Sequence, residues 1–173
     1  MADYFSPTVI QPPIPRADMT ALERLLLTVL FDVDPVGNAL YLHAACGPRD
    51  HITVPAAALR AAFAASAGVA STAAHYIGER IDLGSDEIDV ELDLSGTSWE
   101  FILQDIVRRS ATLRYLTAVT SFTCSKMRPD GFGGMAVLIT ADAIKGKSTS
   151  DILEEFLAEE DAGAGRGHPE GEG

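Results

Sequence analysis

Cysteine is scarce: Cys46 and Cys124 are the only two in 173 residues, and neither has a Cys or His partner at ligand spacing. A disulfide scaffold and a cysteine-held metal centre are excluded. No apolar run approaches the roughly 20 residues of a membrane-spanning helix. The opening Met1-Ala2-Asp3-Tyr4 lacks the basic segment and apolar stretch of a signal peptide, so a cytoplasmic protein without a membrane span is expected. Positive charge is also short, with 13 Lys and Arg against 25 Asp and Glu. A net charge of −12 disfavours a nucleic-acid partner, whose phosphates demand a basic surface. His75 stands alone in a helical stretch, and no metal site is assigned.

Apolar residues make up 47% of the chain, enough for a core in one domain of ordinary size. Residues 1–17 carry Pro7, Pro12, Pro13 and Pro15 around Val9, Ile10 and Ile14, which forbids a helix and predicts an extended arm lying along its own body or a neighbour's. Residues 18–160 form the domain proper. From Asp161 to Gly173 the chain is mostly Gly, Glu, Ala and Pro without an apolar anchor, and disorder is expected.

Within the domain, Thr20-Ala21-Leu22-Glu23 is a capping box ahead of helically spaced leucines, and Thr97-Ser98-Trp99-Glu100 is a second one ahead of Ile102, Leu103, Ile106 and Val107. Trp99 belongs to that stripe as a core anchor, and Arg108 and Arg109 complement the dipole of the last turn. Segments 39–45 and 51–54 read as an antiparallel hairpin, followed by helices over 55–65 and 71–81. The last helix begins near Ser148 or Ser150 and buries Ile152, Leu153, Phe156 and Leu157. These elements predict a single α+β domain, a largely antiparallel sheet with helices packed mainly on one face.

The stretch with most to say is 113–140. Thr117 to Cys124 alternates and is β-branched, as strands are, and Met135 to Ile139 is a short apolar run that suits a strand buried on both faces. Their connection, Ser125 to Gly134, is longer than a hairpin needs and combines Lys126, Arg128, Pro129, Asp130, Phe132 and three glycines. Between Ile106 and Lys147 seven cations face two carboxylates, leaving −17 on the rest of the chain. Lys126, Arg128, Asp130, Phe132 and Gly133 are therefore the candidate contact residues for a partner or anion, the partner expected to be another protein. The oligomeric state stays open.

Two other patterns carry chemistry. Ala141-Asp142-Ala143-Ile144-Lys145-Gly146-Lys147-Ser148 fits the loose form of a phosphate loop, in which Gly146, Lys147 and Ser148 would hold a magnesium nucleotide. Without it, no cofactor is expected, and Lys145-Gly146-Lys147 is a linker. In Glu87-Ile88-Asp89-Val90-Glu91-Leu92-Asp93-Leu94, strict alternation puts four carboxylates on one strand face. Glu87, Asp89, Glu91 and Asp93 would imitate a nucleic-acid backbone as a decoy for a DNA-binding enzyme, or simply solvate the strand. All four share similar solvated surroundings, whereas acid–base catalysis needs two environments that push pKa values apart. Cys124 and Ser121 have no base nearby in sequence, and no catalytic residue is assigned.

Segments Leu94 to Phe101, Phe122 to Gly134 and Ala143 to Glu155, with the Tyr4-Phe5-Ser6-Pro7-Thr8 start, resemble small bacterial proteins without assigned activity that are often carried on plasmids and integrating elements. The resemblance implies an accessory role in a mobile element and brings no site residue. The function expected is therefore a non-catalytic accessory protein that binds its partner through the basic glycine-rich hairpin loop.

Overall fold

The computed structural model describes residues 2–80, 88–95 and 97–164. In chain order the elements are β1 (Tyr4–Phe5), β2 (Thr8–Gln11), β3 (Ile14–Pro15), α1 (Ala21–Leu30), β4 (Asp32–Val36), β5 (Ala39–Ala44), β6 (His51–Pro55), α2 (Ala56–Ala65), α3 (Thr72–Gly78), β7 (Asp89–Asp93), α4 (Trp99–Arg109), β8 (Tyr115–Cys124), β9 (Gly133–Thr140), β10 (Ile144–Ser148) and α5 (Thr149–Ala164). Every pairing among them is antiparallel, and the architecture is α+β.

The proline-rich segment is not an appendage. β1 and β2 pair with β8, while β2 and β3 pair with successive stretches of β5. β4 spans the same stretch of β5, so it lies along that strand's opposite edge. Across the main sheet the order is thus β4, β5, the N-terminal strands, β8, β9 and β10. Ile10 and Ile14, 1% and 0% exposed, enter the core from the middle of the sheet. The prolines fall between the short strands or at the end of β3, where a missing N–H breaks no ladder.

Two strand pairings differ from expectation. β5 makes its tight hairpin with β4, turning at Gly37 (φ +58°), and β6 pairs with β7 in a separate two-stranded sheet. The sequence around Asp34-Pro35 reads as a turn, but Pro35 sits in an edge strand, a strand setting that tolerates it.

Helices α1 and α4 cover one face of the sheet, burying Leu22, Leu26, Leu27, Leu30, Ile102, Leu103, Ile106 and Val107. The capping box of α1 forms in full. That of α4 does not: Ser98 is the N-cap without a side-chain cap bond, and its hydroxyl donates instead to the Glu100 carboxylate. Trp99 packs edge-on against Phe31, ring centroids 5.4 Å apart, as an anchor of the core.

Burial holds the Glu100 carboxyl above its ordinary range, and the charge of Asp50 adds to that. Folding thus favours its neutral form. That contribution is present below the unfolded-state pKa and lost as pH rises through the folded value. Glu100→Gln is expected to unfold at a higher urea midpoint than wild type near neutral pH, the advantage shrinking toward about pH 4; a difference independent of pH contradicts the assignment.

The other face of the sheet is uncovered. Along β9, Val137 and Ile139 are buried, but Ala136 and Leu138 face solvent, so the run 135–139 is not buried on both sides as its composition predicts. Similarly, along α5 Ile152, Leu153, Phe156 and Leu157 are exposed rather than forming a buried stripe. The helix continues past Asp161 to Ala164, into the stretch expected to be disordered; residues 165–173 lie outside the described residues. Among the described residues no helix is long and apolar enough to cross a membrane.

Candidate functional site

The β8–β9 connection is a braced structure. The Asp3 N–H donates to the Ser125 hydroxyl (3.0 Å), and the Ser125 N–H donates to the Asp3 carbonyl (2.9 Å). Residues 129–131 form one turn of 3-10 helix, entered through Pro129 and closed by the Gly131 N–H on the Arg128 carbonyl at 3.0 Å. Gly131 is required by closeness: a Cβ there would stand 2.5 Å from the Cys124 Cβ. Tyr4 ties the loop to the sheet, its hydroxyl donating to Asp130 and accepting from Arg128, each at 3.4 Å. Partial removal from water raises the Tyr4 phenol pKa, and the charge of Asp130 raises it further.

On this frame Met127 is 90% exposed and Phe132 47%. Tyr4, Phe5, Phe122 and Met135, at the same end of the sheet, are also exposed. Lys126 has no ion-pair partner among the described residues. Gly133 lies where a Cβ would meet the Thr149 hydroxyl at 2.8 Å, and that hydroxyl accepts from the Gly134 N–H at 3.2 Å. The start of α5 is thereby fixed beside the loop. Of the five candidate contact residues, Arg128 and Asp130 are drawn together through Tyr4 and Gly133 lies against the base of α5, while Lys126 and Phe132 are exposed on the loop.

The basic zone does not form one patch. Arg109 is committed to Glu23 at 2.5 Å, and Arg108 to Asp105 (3.1 Å) and the Ala141 carbonyl (2.7 Å). Lys147 pairs with Glu155 at the far edge of the sheet. Of the seven cations only Lys126 and Arg128 belong to the loop. Sequence proximity overstated the cluster because α4 carries Arg108 and Arg109, β10 carries Lys145 and Lys147, and Arg114 precedes β8.

The phosphate-loop residues are placed otherwise than their motif requires. Gly146, Lys147 and Ser148 are in β10, their partners Val137, Ala136 and Met135 of β9. Backbone N–H groups that would cradle phosphate belong to a strand, and the hairpin geometry replaces the strand-to-helix loop. The following helix is capped locally: Ser148 and Asp151 exchange hydrogen bonds, which lower the Asp151 pKa.

Asp89, Glu91 and Asp93 do share the exposed face of β7; Glu87 lies outside the described residues. Ile88 is 85% exposed, so the inward alternation starts only at Val90. Hydrogen bonding from Ser95 holds Asp93 below the usual carboxylate range, and His51 sits 3.7 Å from it across the ladder. Among the described residues no group of three or more His, Cys, Asp or Glu is placed to hold a metal ion.

Sequence reasoning missed Tyr4. Its partners Arg128 and Asp130 are 124 and 126 residues away, and the connection is visible only once β1 pairs with β8. A scan against protein-family models, a search of curated proteins and a search of solved structures found no match to this chain.

Proposed function

We propose that the protein is a non-catalytic accessory protein that binds a protein partner through the end of the β8–β9 hairpin, in keeping with the mobile-element role its sequence resemblance implies. The observation that carries this reading is the braced loop displaying Met127 and Phe132 beside Lys126, which has no ion-pair partner among the described residues. Aromatic, methionine and arginine side chains are the types enriched at protein interfaces, and a pre-ordered loop loses little entropy when it docks. An acidic body behind a small cationic tip repels nucleic acid in most orientations, so a protein groove with acidic rims is the better complement.

The triple variant Lys126→Ala, Arg128→Ala, Phe132→Ala tests it. Truncated hot-spot residues commonly cost about 2 kcal/mol or more each, so proteins cross-linked and recovered with the wild type are expected to be absent with the variant while its unfolding midpoint is unchanged. Recovery of the same proteins by both forms overturns the reading.

A further inference from the structure

The uncovered face of the main sheet is ordered from one sign of charge to the other. The cross-strand register gives one complete row, a residue from each of six strands: Asp32, His43, Val9, Val119, Ala136, Lys147. The next row keeps the same charged ends, with Asp34 paired to Tyr41 at one end and Gln11, Thr117, Leu138 and Lys145 in register toward the other. Carboxylates therefore mark the β4 edge, ammonium groups mark the β10 edge, and the middle is apolar except for His43, Gln11 and Thr117. Two hollows run over this middle, one of about 380 Å3 between Val9, His43 and Val119, the other of about 480 Å3 between Val119, Leu138 and Lys145.

We propose that this face docks onto the same face of a second copy of the chain. Six strands at about 4.8 Å spacing make each row about 24 Å long, with its midpoint between Val9 and Val119. A two-fold axis in the interface plane, parallel to the strands and passing through that midpoint, reverses the row. Asp32 and Asp34 of one copy then face Lys147 and Lys145 of the other, at both ends at once, while Val9, Val119, Ala136 and Leu138 meet over the centre. No other pairing of this face with itself matches both the apolar middle and both charged edges. Sheets stack in this manner at about 10 Å, within about 30° of alignment.

Some of the terminal charge is already used: Lys147 pairs with Glu155, and Asp32 with Arg49 at 3.0 Å. Lys145 has no ion-pair partner among the described residues and Asp34 has only His43, so these two carry the recognition. The sequence pattern agrees. Met135 to Ile139 is apolar on both sides of the strand, a composition that a face open to water does not require. Because the axis runs along the strands, both hairpin ends emerge from the same side of the dimer, and a partner bound there meets two loops rather than one. The dimer itself does not depend on the loop reading.

Sedimentation velocity of the full chain over a wide concentration range is the first test, and a monomer–dimer equilibrium is expected. Lys145→Glu alone and Asp34→Lys alone each place like charges opposite one another, and each is expected to weaken self-association about tenfold or more. Mixed in equal amounts, the two variants regain complementary edges, and a heterodimer of wild-type strength should form. A wild type that stays monomeric at every concentration overturns the proposal without any variant being made. A dimer that neither reversal weakens, or that mixing the variants fails to restore, also overturns it. The triple loop variant above should dimerise normally, which separates failure of this interface from failure of the loop.

Discussion

A chain lacking residues 1–15 is expected not to fold. The segment holds β1 to β3, which fill the gap between β8 and β5, and without them the main sheet is split into two pieces. Burial of Ile10 and Ile14 alone contributes about 3–6 kcal/mol, against a net stability of about 5–15 kcal/mol for a whole domain. The segment's hydrogen bonds are lost as well, among them Ser6 N–H to the Cys46 carbonyl (3.0 Å) and Ser121 N–H to the Pro7 carbonyl (2.9 Å). Thr8, 1% exposed, meets Thr120 hydroxyl to hydroxyl at 2.9 Å, so β8 would be left with a half-buried polar group facing nothing. Circular dichroism and amide proton dispersion of residues 16–173 provide the measurement. A cooperative unfolding transition in that fragment would show the sheet to be stable without its middle.

Arg109→Met is expected to destabilise the protein by about 3–5 kcal/mol. Glu23, fully buried, serves two elements: its Oε2 accepts from the Thr20 N–H at 2.9 Å to close the capping box of α1, and from the Arg109 guanidinium at 2.5 Å. Its Oε1 is buried with no hydrogen-bond partner among the described residues. Removing the arginine leaves a buried carboxylate with one hydrogen bond and no counter-charge, and that penalty is the larger part of the effect. Neutralising the acid in the same chain, Glu23→Gln with Arg109→Met, keeps the shape of the capping box and should recover most of the loss. Urea unfolding of the wild type, the single and the double variant gives the coupling directly. A single variant within about 1 kcal/mol of wild type would show that the pair contributes no more than a surface ion pair does.

Much of the site was legible in the sequence. The oversized connection between β8 and β9, its turn at Pro129-Asp130-Gly131 and the exposure of Lys126 and Phe132 all follow from local residue preferences that the tertiary structure leaves alone. The helices α1 and α4 were equally plain, because helical spacing of leucine and isoleucine has one economical way to be buried. Arg109 does lie in the last turn of α4, as its place in the sequence implies, but its pairing with Glu23 was not legible, because nothing local points to a residue 86 positions away.

The amino-acid order thus determined by itself the α+β class, the β8–β9 hairpin, the acidic strand and the uneven charge. Those properties depend on neighbours within a few positions, where spacing and side-chain chemistry leave few alternatives. Only the tertiary structure decided that a proline-broken N-terminal segment is the centre of the sheet, that Gly146 to Ser148 extend as β10, and that Leu138 and the stripe of α5 remain uncovered. Each of these turns on which edge or face a distant element occupies, and backbone pairing between remote strands leaves little trace in the residues that make it.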